Sequence, residues 1–291
     1  MQKISLKIDT RFIGFNIKDI YQYFHLGKEK IKKIKAYKNG NTLKDEALNL
    51  GDIISFEYED KCDFIPYDKP LNIIYEDENF LIINKEKATL IHPDTKDNNQ
   101  TLCNMVANYY LKKGLNISVK YAHRIDTDTT GIIIFTKDIL TTSYMNYYIS
   151  THDVIREYLL ICSGKFEKLN GVFDYPIAED RHIANKKRVS FKTGKKAITN
   201  YNVIKVLKHN LNLCSARLEN GRTHQIRLHF SYSGHPLIGD KLYNGNLNLM
   251  DRQALHSYRV KFLHPFSGSI VEFEAPIPSD MQKVINKYKT L

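Results

Sequence analysis

Tryptophan is absent from the 291 residues, and only four cysteines occur. Cys62, Cys103, Cys162 and Cys214 lie far apart, with no C-x-x-C pair among them. Such spacing argues against a disulfide framework or a thiolate zinc site and is expected of reduced, mostly buried thiols. Long apolar runs are missing as well. The longest, "GIIIF" and "FLII", are far too short to cross a bilayer. The opening "MQKISLKIDTRF" lacks the apolar stretch of a signal peptide. A cytoplasmic chain without a membrane span is expected. No internal repeat or low-complexity tract breaks the sequence, and no glycine-rich loop stands ready to cradle a nucleotide's phosphates.

Positive charge is abundant. The formal net charge is +11, with 42% apolar residues, enough for a real core. An anionic partner follows, nucleic acid as the first expectation and an anionic membrane surface as the second.

Residues 1–61 read as a small basic unit, 62–72 as a linker with two prolines, and 73–291 as the main domain. In the first unit, "NIKDIYQYF" has helical spacing of Ile17, Ile20 and Phe24. "GKEKIKKIKAYK" predicts a second helix, with Ile31 and Ile34 on one side and Lys28, Lys30, Lys32, Lys33, Lys35 and Lys38 around the rest. A turn at Asn39-Gly40 and a strand in "GDIISFEYE" follow. A lysine-covered helix is usually a solvated face, but here it also suits phosphate contacts along RNA. The two short helices, the "KNGN" turn and the "GDI" strand resemble the small RNA-binding fold named after a small-subunit ribosomal protein.

In the main domain, "IIYEDENFLIINK" predicts two strands around an acidic turn. Helical patterns cover roughly 100–113 and 139–150. "REYLLICSG", "AITNYNVIKVL" and "LCSARLE" have strand character. No regular strand–helix alternation marks a doubly wound parallel sheet.

Three segments can carry chemistry. In "AHRIDTDTTGIIIF", Asp126 sits in a charged loop that feeds a strand apolar on both faces. Desolvation there raises a carboxyl pKa unless a cation restores the charge. An ordinary Asp in such a loop caps the backbone. In "GRTHQIRLHFSYSGHP", Thr223 is expected to cap a helix starting at His224, with Gly234 as its stop. Ile226 and Phe230 share its apolar stripe while Arg227 points elsewhere. His224 and His229 diverge by roughly 140° at the helical period, so they do not form a zinc pair, and no metal is expected. In "REYLLIC", Arg156 and Tyr158 fall on one face of a strand.

Together these segments resemble the RluA-type pseudouridine synthases. Their "HRLD-x-x-T-S-G" is matched by "HRIDTDTTG", their "G-R-T-H-Q-I-R" by "GRTHQIR", and their "K-x-Y" by "REY" with Arg156 in the lysine's place. "GHPLIGDKLY" and "LHSYRVKFLHPFSG" extend the likeness over about residues 70–280. The resemblance implies an α+β fold, a mixed, largely antiparallel sheet flanked by helices and loops, beside the small N-terminal α/β RNA-binding unit. It also implies isomerisation of uridine to pseudouridine in RNA by a monomer with no cofactor and no metal. Asp126 would be the catalytic aspartate, Arg227 its salt-bridge partner, and Tyr158 the ring against the target base. Arg124 would fill the space left in the RNA, with His123, Arg222 and the lysines Lys28, Lys30, Lys32, Lys33 and Lys35 as further RNA contacts. Ribosomal RNA of the large subunit is the first expected substrate and transfer RNA the second. A nucleoside or glycoside hydrolase using Asp126 with Asp128, and a catalytically silent RNA-binding protein, are the rival readings. The chain departs from the family's "K-P-x-G" at Glu86 and Ala88, which puts that loop's conformation in question.

Overall fold

The computed structural model describes residues 1–290 except Lys96. Its first element, β1 (Gln2–Lys7), is followed by α1 (Ile17–Tyr23), α2 (Lys28–Ile31), β2 (Lys35–Lys38), β3 (Asn41–Thr42) and β4 (Ile53–Tyr58). These strands form one antiparallel sheet in the order β1-β4-β2-β3. Asn16 starts α1 with a reciprocal capping box to Asp19. The lysine-rich segment is not one helix. Only Lys28–Ile31 is helical, and Lys35 and Lys38 lie on β2, paired with Glu57 and Ile54 of β4. "IKKIKAYK" supplies apolar residues at both helical and strand spacing, and pairing with β4 decides between them.

The main sheet begins with β5 (Ile73–Glu76) and β6 (Phe80–Lys85) around the expected acidic turn. Then come α3 (Leu102–Lys112), β7 (Lys120–Tyr121), β8 (Thr130–Thr136), α4 (Ile139–Ser150) and β9 (Ile155–Ser163). A hairpin-rich stretch supplies β10 (Asn170–Asp174), β11 (Ile177–Glu179), β12 (Lys187–Val189), β13 (Ile198–Leu207) and β14 (Leu211–Leu218). The last elements are α5 (Gln225–Tyr232), β15 (Leu255–Leu263), β16 (Ile270–Glu274) and α6 (Ser279–Tyr288).

Ten strands make one sheet in the order β10-β13-β14-β9-β15-β8-β6-β5, with β16 on β15 and β7 on β8. All its pairings are antiparallel except β15 with β8. The strand alternation explains the apolar runs. Ile132 and Ile134 of β8 face one core, with α4 and the N-terminal sheet, while Ile133 and Phe135 face α3. On β9, Leu160 and Cys162 pack with Phe230 of α5, and Leu159 and Ile161 face Met281 and Ile285 of α6.

At the parallel crossing, Gly131 lies beside Ser257 with φ 106°, and a Cβ there would sit 2.2 Å from the Ser257 carbonyl oxygen. Only glycine allows the two strands this close. The N-terminal sheet shares its core with the main sheet: Phe24 and Phe56 belong to the same apolar cluster as Phe80, Tyr144 and Phe262. The His25 ring stacks on Tyr147 of α4 at 3.4 Å. Residues 62–72 lie along α3, where Asn104 accepts from the Tyr67 backbone through its carbonyl and donates to Ile65. Among the described residues no helix is long and apolar enough to cross a membrane.

Candidate active site

The junction of β8, β15 and β9 is where the candidate residues converge. Asp126 arrives on the loop entering β8, Tyr158 on β9 beside β15, and Arg227 on α5, which packs over β9 and β14. They line a cleft of about 590 Å³ whose walls include Ile91, Ile226 and Leu255.

Asp126 is 22% exposed and accepts a 2.9 Å hydrogen bond from Arg227 Nη1 on Oδ2. Among the described residues nothing donates to Oδ1, and Asp126 belongs to the cleft lining. The other edge of the Arg227 guanidinium is clamped by Asp240, through Nε to Oδ2 at 2.7 Å and Nη2 to Oδ1 at 2.9 Å. Asp240 itself is 0% exposed, and its Oδ1 also accepts from the backbone of Leu242 and Tyr243. Burial works against the charge on Arg227, yet Asp240 and Asp126 outweigh it and hold its pKa above the usual arginine value. A fork–fork pair of this kind fixes orientation as well as charge.

The Asp126 loop is held by its carbonyls. The Asp126 oxygen accepts from Thr129 N, the Thr127 oxygen from Lys85 Nζ at 2.6 Å, and the Asp128 oxygen from Arg252 Nη1 at 3.0 Å. Lys85, 1% exposed, also donates to Glu86 and Thr89, and burial lowers its pKa to about 7 against the pull of Asp128. Arg252 is clamped in turn by Asp280 at 2.8 and 3.0 Å. Directly after the loop, Thr130 Oγ1 bonds His256 Nδ1 at 2.8 Å.

Tyr158 is buried, and burial raises its pKa, so it presents a neutral ring to the cleft. Arg156, beside it, is buried with no partner on Nε among the described residues, and its guanidinium packs close to Gly221, where a Cβ would lie 3.2 Å from Arg156 Nη1.

A family profile described as RNA pseudouridylate synthase matches residues 79–232. The chain belongs to that family. It is an RluA-type RNA pseudouridine synthase, an isomerase acting on RNA. The uncharacterised RNA pseudouridine synthase YhcT of Bacillus subtilis (strain 168) is 36% identical over 251 residues, covering 85% of this chain and 83% of that one. Ribosomal large subunit pseudouridine synthase D of Escherichia coli (strain K12) is 34% identical over 247 residues, covering 80% and 74%. Among solved structures, human RNA pseudouridylate synthase domain containing 1 has a TM-score of 0.64 at 20% identity, covering 77% of this chain and 90% of that one.

In this synthase the cleft gathers Asp126, Arg227, Tyr158, Arg124, His123 and Arg222. Arg124 is exposed at the rim, with Nη2 3.3 Å from Thr223 Oγ1. Arg222 is exposed too and donates Nε to the Lys196 carbonyl. His123 is not a surface contact. It is buried, both ring nitrogens lack a partner among the described residues, and burial together with Arg156 lowers its pKa to about 3, so the ring is neutral.

Thr223 does not cap α5. The helix starts at Gln225 after His224 in the left-handed conformation (φ 59°), and Gln225 accepts from the Arg222 backbone. That turn aims His224 Nε2 to within 3.8 Å of Asp126 Oδ2, while burial keeps its pKa below the usual histidine value. Of the N-terminal lysines, Lys30 is half-buried and donates to Ser143 of α4 at 2.7 Å, and Lys32 pairs with Glu29. Lys28, Lys33 and Lys35 are exposed, away from the cleft lining. Ala88, at the family's glycine position, adopts φ 54°. The loop therefore keeps a left-handed residue although its side chain disfavours it.

Asp240, Lys85 and Arg252 are the site residues that sequence reasoning missed. Asp240 stands inside "GHPLIGDKLY", a segment the family likeness had already marked. A lone carboxylate thirteen positions from a helical arginine was the available signal.

Proposed function

We propose that this synthase isomerises specific uridines of large-subunit ribosomal RNA, with Asp126 as the catalytic carboxylate. The observation that carries the reading is the Asp126–Arg227–Asp240 chain, which sets the Asp126 carboxylate in the lining of a cleft that also holds Tyr158, Ile91, Ile226 and Leu255. The name of the Escherichia coli relative supports the choice of RNA.

A uridine within folded RNA hides its glycosidic bond and must be turned out of the stack to react. The cleft is large enough to take a base against Tyr158. The bond from ribose C1′ to ring N1 then breaks, the base turns, C1′ joins C5, C5 loses its proton and N1 gains one. Asp126 acts on the sugar, by attack on the ribose or by removing a ribose proton, and both routes need the ionised form. Arg227 fixes the orientation of the carboxylate through its hydrogen bond to Oδ2. Apolar walls keep out the water that would convert isomerisation into hydrolysis. Asp128, the second carboxylate of a hydrolase reading, does not line the cleft.

The test compares RNA from cells with and without the gene, labelled with a carbodiimide that marks pseudouridine and mapped by primer extension. One or a few uridines of large-subunit ribosomal RNA, in a loop or bulge, should lose the mark. Loss confined to transfer RNA would overturn the substrate. Purified Asp126→Asn should bind the same transcript and form no detectable pseudouridine, whereas turnover near wild type would remove Asp126 from the chemistry.

A further inference from the structure

The stretch from β11 to the start of β13 holds charge that the fold leaves unneutralised. Residues 181–196, "RHIANKKRVSFKTGKK", contain seven Lys and Arg and no acidic residue. Lys187 pairs with Glu179; among the described residues the other six cations form no salt bridge. Arg181, Lys192, Lys195 and Lys196 are exposed. The same stretch reaches the cleft, since Asn185 and Lys187 line it.

At the tip of the turn after β12 stands Phe191, 73% exposed. A single exposed aromatic side chain is ordinary on a surface. This one is held outward by a turn with little freedom. Ser190 N donates to Pro176 O, Gly194 N to Ser190 O, and Ile177 and Lys195 exchange a pair of backbone bonds, all at 2.8 to 2.9 Å. A Cβ on Gly194 would lie 2.4 Å from the Ser190 carbonyl oxygen and 2.7 Å from the Pro176 carbonyl carbon, so the turn is packed tight on its inner side. An exposed aromatic ring on a braced turn, in a cation-rich stretch that reaches an RNA-modifying cleft, is the chemistry of single-stranded RNA binding. Bases stack on the ring, and cations follow the phosphates.

We propose that Phe191 is a stacking platform for an unpaired base of the substrate RNA outside the cleft, with Arg181, Lys192, Lys195 and Lys196 on the flanking phosphates. The inference rests on the substrate reading above and adds a second contact to it. It assigns this arm to recognition, not chemistry.

Because the chain lacks tryptophan, Phe191→Trp creates a protein with one indole reporter. Wild type, Phe191→Trp and Phe191→Ala are assayed on unmodified large-subunit ribosomal and transfer RNA transcripts. On whichever RNA wild type modifies, Phe191→Ala should lower kcat/KM about tenfold, mainly through KM, and Phe191→Trp should restore it. Saturating transcript should quench the indole emission. Loss of wild-type turnover on both transcripts would strike the functional reading alone, because the indole signal still reports stacking. An unaltered KM in Phe191→Ala on a modified transcript, or an indole emission unchanged at saturating RNA, would overturn the proposal.

Discussion

The Asp126 loop and the 181–196 arm sit on the same cleft and treat charge in opposite ways. In the loop, consecutive carbonyls from Asp126 to Asp128 are tied down, and the carboxylate is paired to an arginine that is itself clamped. In the arm, six of seven cations have no ion-pair partner among the described residues. A group that acts on a bond must be held to a fraction of an ångström. A group that grips a phosphate chain needs only to be near it, and the unpaired state keeps it available. On the proposed roles, ordered charge serves the chemistry and loose charge the grip.

Breaking the tied-down side should have the largest effect. Asp240→Ala leaves Arg227 with an unfilled edge in a buried site. It should cost about 3–5 kcal/mol of stability in denaturant titration. It should also lower kcat about 100-fold through loss of Asp126 alignment, with KM little changed. A KM defect alone would mean that the clamp serves binding.

Removing loose charge should act on binding alone. Lys192, Lys195 and Lys196 changed together to Gln should leave thermal stability unchanged. The slope of log affinity against log salt should fall by about 2, the release expected from three contacts to a single strand. An unchanged slope would mean that these lysines face solvent only.

Acid should also separate the two regions. His123 and His256 are neutral in the fold, their pKa values pushed by burial to about 3 and about 4. In the unfolded chain both take up a proton near pH 6.5. Below that pH the unfolded state therefore binds more protons, and stability falls by up to about 1.4 kcal/mol per pH unit for each ring until its folded pKa is reached. Denaturant titrations at pH 7 and 5.5 should show this loss, and His256→Gln should reduce it.

The smallest effect sharpens the boundary of the ordered side. Ala88→Gly relieves a left-handed alanine and should raise stability by up to about 1 kcal/mol. A loss would show that the methyl group packs usefully.

Much of the site was readable in advance because it lies in short continuous motifs. "HRIDTDTTG" and "GRTHQIR" name both ends of the Asp126–Arg227 pair. "GIIIF" and "FLII" reveal strands buried on both faces. The hidden parts lack a local pattern. Lys85 and Arg252 act through backbone carbonyls, which leave no trace in the partner's side chain. The depth of His123, in a loop rich in polar residues, has no signal in its neighbours along the chain. The switch from helix to strand before Lys35 is fixed by pairing with β4, where its partner is Glu57.

The supports of the Asp126 loop also set an order in time. Lys85 precedes the loop in the chain, but Arg227, Asp240 and Arg252 all follow it, and Arg252 leans on Asp280. Translation at about 5–20 residues per second separates residue 128 from residue 252 by roughly 6–25 s. A nascent chain therefore carries its acid long before it can aim it. On the proposed role of Asp126, competence comes only after Asp280 has emerged, so a product terminated before it would keep the signature motif without the activity.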